Sequence, residues 1–251
     1  MKIFVSEDYD EMCRLALDHI LQLMGLKENP LICPASGDTP AGLYKKLVSD
    51  VEHKKIVVNN WLYVGLDEWM GMNASDQGSC RFHLNNQLFK PLNVTDSQIS
   101  FFDGRVNDTN NECVKVEDFI FKNGGIDVAI VGIGMNGHVG MNEPGTLKNI
   151  RSHVSDIHSE TQISGQKYFL EKQELRQGIT LGLANILEAR NIFLLASGLH
   201  KANIIKQVLE GEISDQLPSS ILREHPALYI YLDKEAAGLL NKETIKIESY
   251  V

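Results

Sequence analysis

The sequence predicts an α/β fold, doubly wound, with a mainly parallel sheet and helices on both faces. Three observations carry this reading. Short apolar runs rich in Val, Ile and Leu recur along the chain, as at Ile126–Ile133 and Asn191–Ala196, and strands apolar at nearly every position are those buried on both faces. Most are followed by a glycine-containing turn and then a segment of helical period. The alternation continues without a low-complexity linker, an internal repeat or a shift in composition, so the 251 residues are expected to form one domain, residues 1–251.

The elements follow in order. Ile3–Val5 reads as a first strand, and Ser6 is placed to cap a helix running to Met24, with Glu7 and Asp8 facing the positive end of its dipole. Gly25 and Pro30 end that helix. Leu31–Ala35 is a second strand. Ser36-Gly37-Asp38-Thr39-Pro40 leads into a helix over Ala41–Val48, with Thr39 as cap and Pro40 at its first position. Trp61–Leu66 is a third strand with Asp67-Glu68-Trp69 at its end. Two adjacent acids are costly to bury as charges, so one is expected to be exposed or to serve as a base. Gly71–Ser79 is polar, compatible with a lid or an inert excursion, and Cys80–Leu88 is helical towards Pro91. Ile99–Phe102 is a short strand. Asn107–Phe121 is a helix capped by Asn107 or Asp108 that buries Cys113, Val116 and Ile120. Beyond Gly145 the chain reads as irregular through Arg151 and His153. Ser159–Glu174 and Ile179–Glu188 are expected to be helices. Asn191–Ala196 is a late strand feeding Ser197-Gly198-Leu199-His200-Lys201 and a helix to Leu209. Leu228–Leu232 is a last strand, and the tail from Lys234 is partly helical.

A formal net charge of −9 argues against non-specific nucleic-acid binding, which needs basic surface. It leaves room for a small anion held by local amides and a few lysines. The four cysteines are widely spaced, which fits free thiols in a reducing compartment better than a disulfide framework. The N-terminus lacks the apolar core of a signal peptide, and no apolar run approaches the length of a membrane span, so no membrane contact and a cytoplasmic location are expected.

The candidate chemistry centres on Ile126–Gly145. A buried strand ends in a segment broken by Gly134, Gly137, Gly140, Pro144 and Gly145, and it presents Asn136, His138 and Glu143. Open α/β sheets place ligands beyond the carboxyl ends of their strands, although a tight structural loop would look similar. His138 and Glu143 could meet across Gly140, the carboxylate orienting an imidazole that moves a proton near neutral pH. Asn136 could bond a sugar hydroxyl or hold His138. Asp67, from a neighbouring strand end, could supply a separate base. The Ser36–Thr39 turn and Lys201 each follow a strand and open a helix, a natural place for a phosphate, though neither matches a nucleotide loop. His138, Glu143, His153 and His158 are metal-ligand types but lack the spacing of a zinc motif. There is no GxSxG nucleophile elbow. A binding module without catalysis also remains compatible.

Five segments make the sequence resemble the glucosamine-6-phosphate deaminase/isomerase family, and most closely its galactosamine-6-phosphate branch. They are SGDTPAGLY at Ser36–Tyr44, LDEW at Leu66–Trp69, GGIDVAIVGIGMNGHVGMNEPG at Gly124–Gly145, GITLGLANIL at Gly178–Leu187, and Ser197–Lys201. The resemblance implies a Rossmann-like sugar-phosphate isomerase fold acting on an amino-hexose 6-phosphate. The implied reaction converts galactosamine 6-phosphate to tagatose 6-phosphate and ammonia. The corresponding glucosamine reaction to fructose 6-phosphate is an alternative, as is a 6-phosphogluconolactonase-like hydrolase, which fits LDEW and NEPG poorly. Trp69, Gly78-Ser79-Cys80 and GITLGL point to the galactosamine branch. By the same resemblance Asp67 moves the proton from C2 to C1, and His138 serves ring opening with Glu143. Asn136 stands where many members have Asp and others Asn. Ser36, Gly37, Asp38, Thr39 and Lys201 would hold the phosphate, with Lys167 where many relatives carry Arg. Arg151 and His153 match a basic segment that closes over the site in relatives. No cofactor or metal is called for, and the relatives' assemblies make a homo-oligomer an open expectation.

Overall fold

The computed structural model describes residues 1–25 and 27–245. The strands are β1 (Lys2–Ser6), β2 (Leu31–Pro34), β3 (Leu62–Val64), β4 (Asp67–Trp69), β5 (Ile99–Ser100), β6 (Val128–Val131), β7 (His153–Asp156), β8 (Gln177–Thr180), β9 (Asn191–Ala196) and β10 (Leu228–Asp233). The helices are α1 (Tyr9–Met24), α2 (Asp38–Glu52), α3 (Cys80–Leu84), α4 (Thr109–Lys122), α5 (Ser159–Gly165), α6 (Leu183–Leu187) and α7 (Ala202–Glu210). Seven strands form one sheet in the order β1-β10-β9-β6-β2-β3-β5, all parallel.

The expected doubly wound architecture is what forms, and β6 shows why. Its Ala129 and Val131 join the core under α4, α6 and α7, while Val128 and Ile130 join the core under α1 and α2. Both faces are covered, so a strand apolar at every position is the sequence that satisfies it. Burying each of its larger side chains contributes roughly 1.5–3 kcal/mol. The strand order reverses at β2. The chain leaves β2 outwards to β3 and β5, then returns on the other side through β6, β9 and β10. That switch opens a crevice between the carboxyl ends of β2 and β6, where a ligand site is expected in such sheets.

Several local expectations change. Asp8, not Ser6, caps α1, accepting the Glu11 N–H at 2.9 Å. Helix α2 begins at Asp38 with Gly37 as its cap, so Thr39 is not the cap and Pro40 is the third helical residue rather than the first. Gly37 adopts φ 111, a turn that L side chains rarely take. Cys80–Leu84 continues as a wider π turn over Asn85–Phe89. Asp108 caps α4, accepting the Asn111 N–H at 3.0 Å.

The largest differences concern a second, antiparallel sheet in the order β4-β8-β7. His153 lies on β7 rather than in an irregular stretch, and Ile179–Thr180 belongs to β8 rather than to a helix. The β-branched pair Ile179-Thr180 fits a strand, and only Leu183–Leu187 of the expected helix is helical. The helix expected over Ser159–Glu174 stops at Gly165, which packs directly against the Trp69 ring. The described tail from Lys234 is turns rather than helix, and the rest of that expectation, residues 246–251, lies outside the described residues. Among the described residues no helix is long and apolar enough to cross a membrane.

Candidate active site

A cavity of about 640 Å³ lies at the carboxyl ends of the central strands. It collects Ser36, Gly37, Asp38 and Thr39 after β2, Asp67 on β4, His138 after β6, Lys201 after β9, and Lys167 after α5. These residues are far apart in sequence, and the parallel topology brings them together. A wider surface groove of about 810 Å³ beside β5 and α4 contains none of them.

The start of α2 forms one wall of the cavity. No side chain caps α2, so its first backbone N–H groups face the turn with the positive end of the helix dipole behind them. Tyr9, on α1, holds this turn by donating to the carbonyls of Asp38 at 2.9 Å and Thr39 at 3.0 Å, while accepting the Gly42 N–H at 2.7 Å. Lys201 donates to the Ile133 carbonyl at 2.7 Å. Burial, with Lys167 nearby, lowers its ammonium to about 8. Lys167 pairs with Asp38 at 2.6 Å and lies over the Tyr168 ring at 4.9 Å.

Asp67 and His138 line the same cavity. Asp67 and Glu68 are both buried, so of the two expectations for the pair, exposure of one acid or its use as a base, exposure is not what forms. Burial pushes Asp67 up to about 6. Glu68 turns away from the cavity and is held by backbone amides.

His138 and Glu143 do not bond directly, their nearest atoms being 3.8 Å apart. Asn136 stands between them. Its Nδ2 donates to Glu143 Oε2 at 2.7 Å, and its Oδ1 faces His138 Nδ1 at 2.7 Å. An ionised carboxylate only accepts, so the amide nitrogen must face Glu143 and the amide oxygen must face the imidazole. The oxygen requires a proton on Nδ1, which leaves Nε2 as the acceptor nitrogen. Burial also lowers the His138 pKa, with Glu143 opposing, so the ring is neutral at pH 7. Gly134 is required here, because a Cβ at that position would overlap the His138 ring.

Arg151 and His153 are not brought into the cavity. Arg151, just before β7, pairs with Glu188 at 2.5 Å, and His153, the first residue of β7, bonds the Arg151 carbonyl through Nδ1 at 2.8 Å. The segment that reaches over the cavity is instead α5 and the turn after it. His158 is exposed, and among the described residues no three His, Cys, Asp or Glu gather as a metal-ligand set. Sequence reasoning missed Thr161, whose hydroxyl lies 3.0 Å from His138 Nδ1, and also Tyr9, Cys80, His83 and Tyr168 on the cavity wall. No local signal marks Thr161, since its role depends on α5 folding across the β6 loop.

The model of the glucosamine-6-phosphate isomerases/6-phosphogluconolactonase family matches residues 9–230. A glucosamine-6-phosphate deaminase of Clostridium botulinum (strain Eklund 17B / Type B) is 37% identical over 248 residues, covering 98% of this chain and 100% of that protein. One from Thermoanaerobacter pseudethanolicus (strain ATCC 33223 / 39E) is 34% identical over 247 residues, 98% of each. The solved structure of a monomeric glucosamine-6-phosphate deaminase aligns with a TM-score of 0.92 at 31% identity, covering 96% of this chain and 100% of that one. A 6-phosphogluconolactonase from Trypanosoma cruzi shares the fold, with a TM-score of 0.75 at 18% identity, covering 96% and 97%. These full-length matches lead to one conclusion: the chain belongs to the family of glucosamine-6-phosphate isomerases and 6-phosphogluconolactonases.

Proposed function

We propose that the chain opens the ring of an amino-hexose 6-phosphate, isomerises the aldose to the ketose and releases the amine as ammonia. Membership among the isomerase/deaminase enzymes supports an amino-sugar-6-phosphate deaminase/isomerase. The observation that carries the reading is the gathering, in one cavity, of a buried carboxyl lifted to about 6 and a neutral imidazole with an uncapped helix N-terminus and Lys201.

In this reading the 6-phosphate binds the α2 amides, Lys201 and Lys167. Remote binding of this kind lends its energy to orienting the reacting carbons. His138 Nε2 takes the O1 hydroxyl proton and delivers it to the ring oxygen as the C1–O5 bond breaks, with its tautomer held by Asn136, Glu143 and Thr161. Asp67 removes the C2 proton, which gives an enaminol, and returns a proton to C1. The resulting C2 iminium adds water and expels ammonia, leaving the ketone. The substrate's own nitrogen carries the electron pair, so the residues need only move protons and hold the phosphate.

The names of the full-length relatives support glucosamine 6-phosphate as substrate and fructose 6-phosphate as product. Galactosamine 6-phosphate, giving tagatose 6-phosphate, is the second reading. Its support is that Trp69, Gly78 and Cys80, the segment resembling the galactosamine branch, line the cavity beside Asp67. Purified protein should release ammonia and ketose 6-phosphate from one epimer in preference to the other. Ammonia from neither epimer, with hydrolysis of 6-phosphogluconolactone instead, would replace the deaminase reading by a lactonase.

A further inference from the structure

Asp38 puts a carboxylate where the proposed function puts the phosphate. It is the first residue of α2, a helix that no side chain caps, and it lines the cavity. The positive end of a helix dipole attracts a carboxylate as it attracts a phosphate. The same carboxylate pairs with Lys167 at 2.6 Å, across from the turn after α5. Lys167 lies over the Tyr168 ring at 4.9 Å, and the Tyr168 hydroxyl comes within 3.2 Å of the place that a Cβ on Gly37 would take. One charge and one ring thus seat this turn on the start of α2. Lys167 and Lys201 are close enough to repel, which adds to the effect of burial on Lys201. His83 and the phenols of Tyr9 and Tyr168 also feel the Asp38 charge. Burial keeps all three neutral near pH 7.

We propose that Asp38 is a built-in competitor for the substrate phosphate, holding Lys167 in the free chain and setting how tightly the site takes an anion. The proposal rests on the reading of α2, Lys167 and Lys201 as the phosphate site. A phosphate drawn there must take Lys167 away from Asp38, and it then lies beside a like charge. Both effects weaken its binding. They do not block it, because an ion pair whose members are 56% and 69% exposed is easily exchanged. Lys201 has no such rival, since its ammonium donates to the Ile133 carbonyl at 2.7 Å, a neutral partner. The two lysines therefore differ: Lys201 meets the phosphate as a free charge, and Lys167 only after an exchange.

The test is Asp38→Asn, which keeps the size of the side chain and removes its charge, made alone and together with Lys167→Ala. The readouts are the Kd of inorganic phosphate by calorimetric titration and kcat/KM for the amino-hexose 6-phosphate. Asp38→Asn should bind phosphate about 3- to 10-fold more tightly than the native chain and raise kcat/KM by a similar factor. Lys167→Ala should weaken phosphate binding more in the Asp38→Asn chain than in the native one, because there the lysine has no other anion to hold. Phosphate binding that is unchanged or weaker in Asp38→Asn overturns the proposal. So does a loss on Lys167→Ala that is equal in both backgrounds, which makes the pair only a strut between α2 and the turn after α5. Absence of phosphate binding in all four proteins overturns it too. The titration needs no turnover, so a native chain that releases no ammonia from either amino sugar defeats the proposed function while the phosphate Kd still judges Asp38.

Discussion

Replacing Asn136 with Asp tests the donor order that links His138 to Glu143. In the native chain an amide N–H meets Glu143 Oε2 at 2.7 Å. A carboxylate in its place sets oxygen against oxygen in a buried site, and two such groups cannot both ionise at that distance. The folded site must then hold an extra proton, whether on the new carboxyl, on Glu143 or on His138. If it is held to about pH 7 against an unfolded carboxyl near 3.9, the folded state binds one more proton than the unfolded state across that window, and stability falls by about 1.4 kcal/mol per pH unit. The sign follows from a folded pKa raised above the unfolded one. Stability is retained below the unfolded value and lost as pH rises through the folded value. From pH 5 to pH 7 the loss is about 3 kcal/mol, or roughly 6–12 °C in Tm for a chain of this size. Thermal unfolding of Asn136→Asp beside the native protein at pH 5 and pH 8 reads it directly. The Tm gap should widen at the higher pH, and a gap equal at both values refutes the assigned orientation of Asn136.

Asp67→Asn should cut ammonia release by about 10²- to 10⁴-fold. Because burial raises Asp67 to about 6, its ionisation costs stability that grows as pH rises to that value, so the variant should melt higher than the native chain at pH 8 and not at pH 4. Unchanged turnover would remove Asp67 as the base. Lys201→Met should lower kcat/KM for the phosphorylated sugar about 10- to 100-fold, raising KM and also lowering kcat, because the phosphate contact helps orient the reacting carbons. In the native chain KM should climb above pH 8, as the ammonium, lowered to about 8, gives up its proton. A KM independent of both places the phosphate elsewhere. Lys167→Ala removes an ion pair whose members are 56% and 69% exposed. It should therefore shift Tm by no more than about 2 °C while raising KM less than Lys201→Met does, and a larger rise in KM reverses their ranking.

Much of the fold was legible because its signals are local. Asn191–Ala196 appears as a strand with the expected bounds, and Ile126–Ile133 contains β6, since strands buried on both faces must be apolar throughout. The candidate phosphate turn was legible for a similar reason. A glycine that permits an unusual φ, followed by a helix start, is written in consecutive residues. The acid–base residues could be shortlisted as types, because glycine-broken loops after buried strands are where side chains such as His138 and Glu143 are displayed.

Their partnerships were legible only in part: a bond from Asn136 to His138 was among the expectations, its bond to Glu143 was not. Asn136 bridges His138 and Glu143 where direct contact was expected, because the turn at Gly137 and Gly140 folds the loop back, and a three-dimensional fold-back leaves no periodic trace. Thr161 reaches His138 from 23 residues away. His153 is carried off along β7, with Arg151 just before it, a strand that forms by pairing with β8, whose other edge pairs with β4. Glu68 is held in its buried position by two amides at the start of α3 and by that of Trp69. Apolar period and backbone torsion are properties of neighbouring residues, so they can be read along the chain. Which donor meets which acceptor depends on segments far apart in sequence, and packing alone brings those segments together.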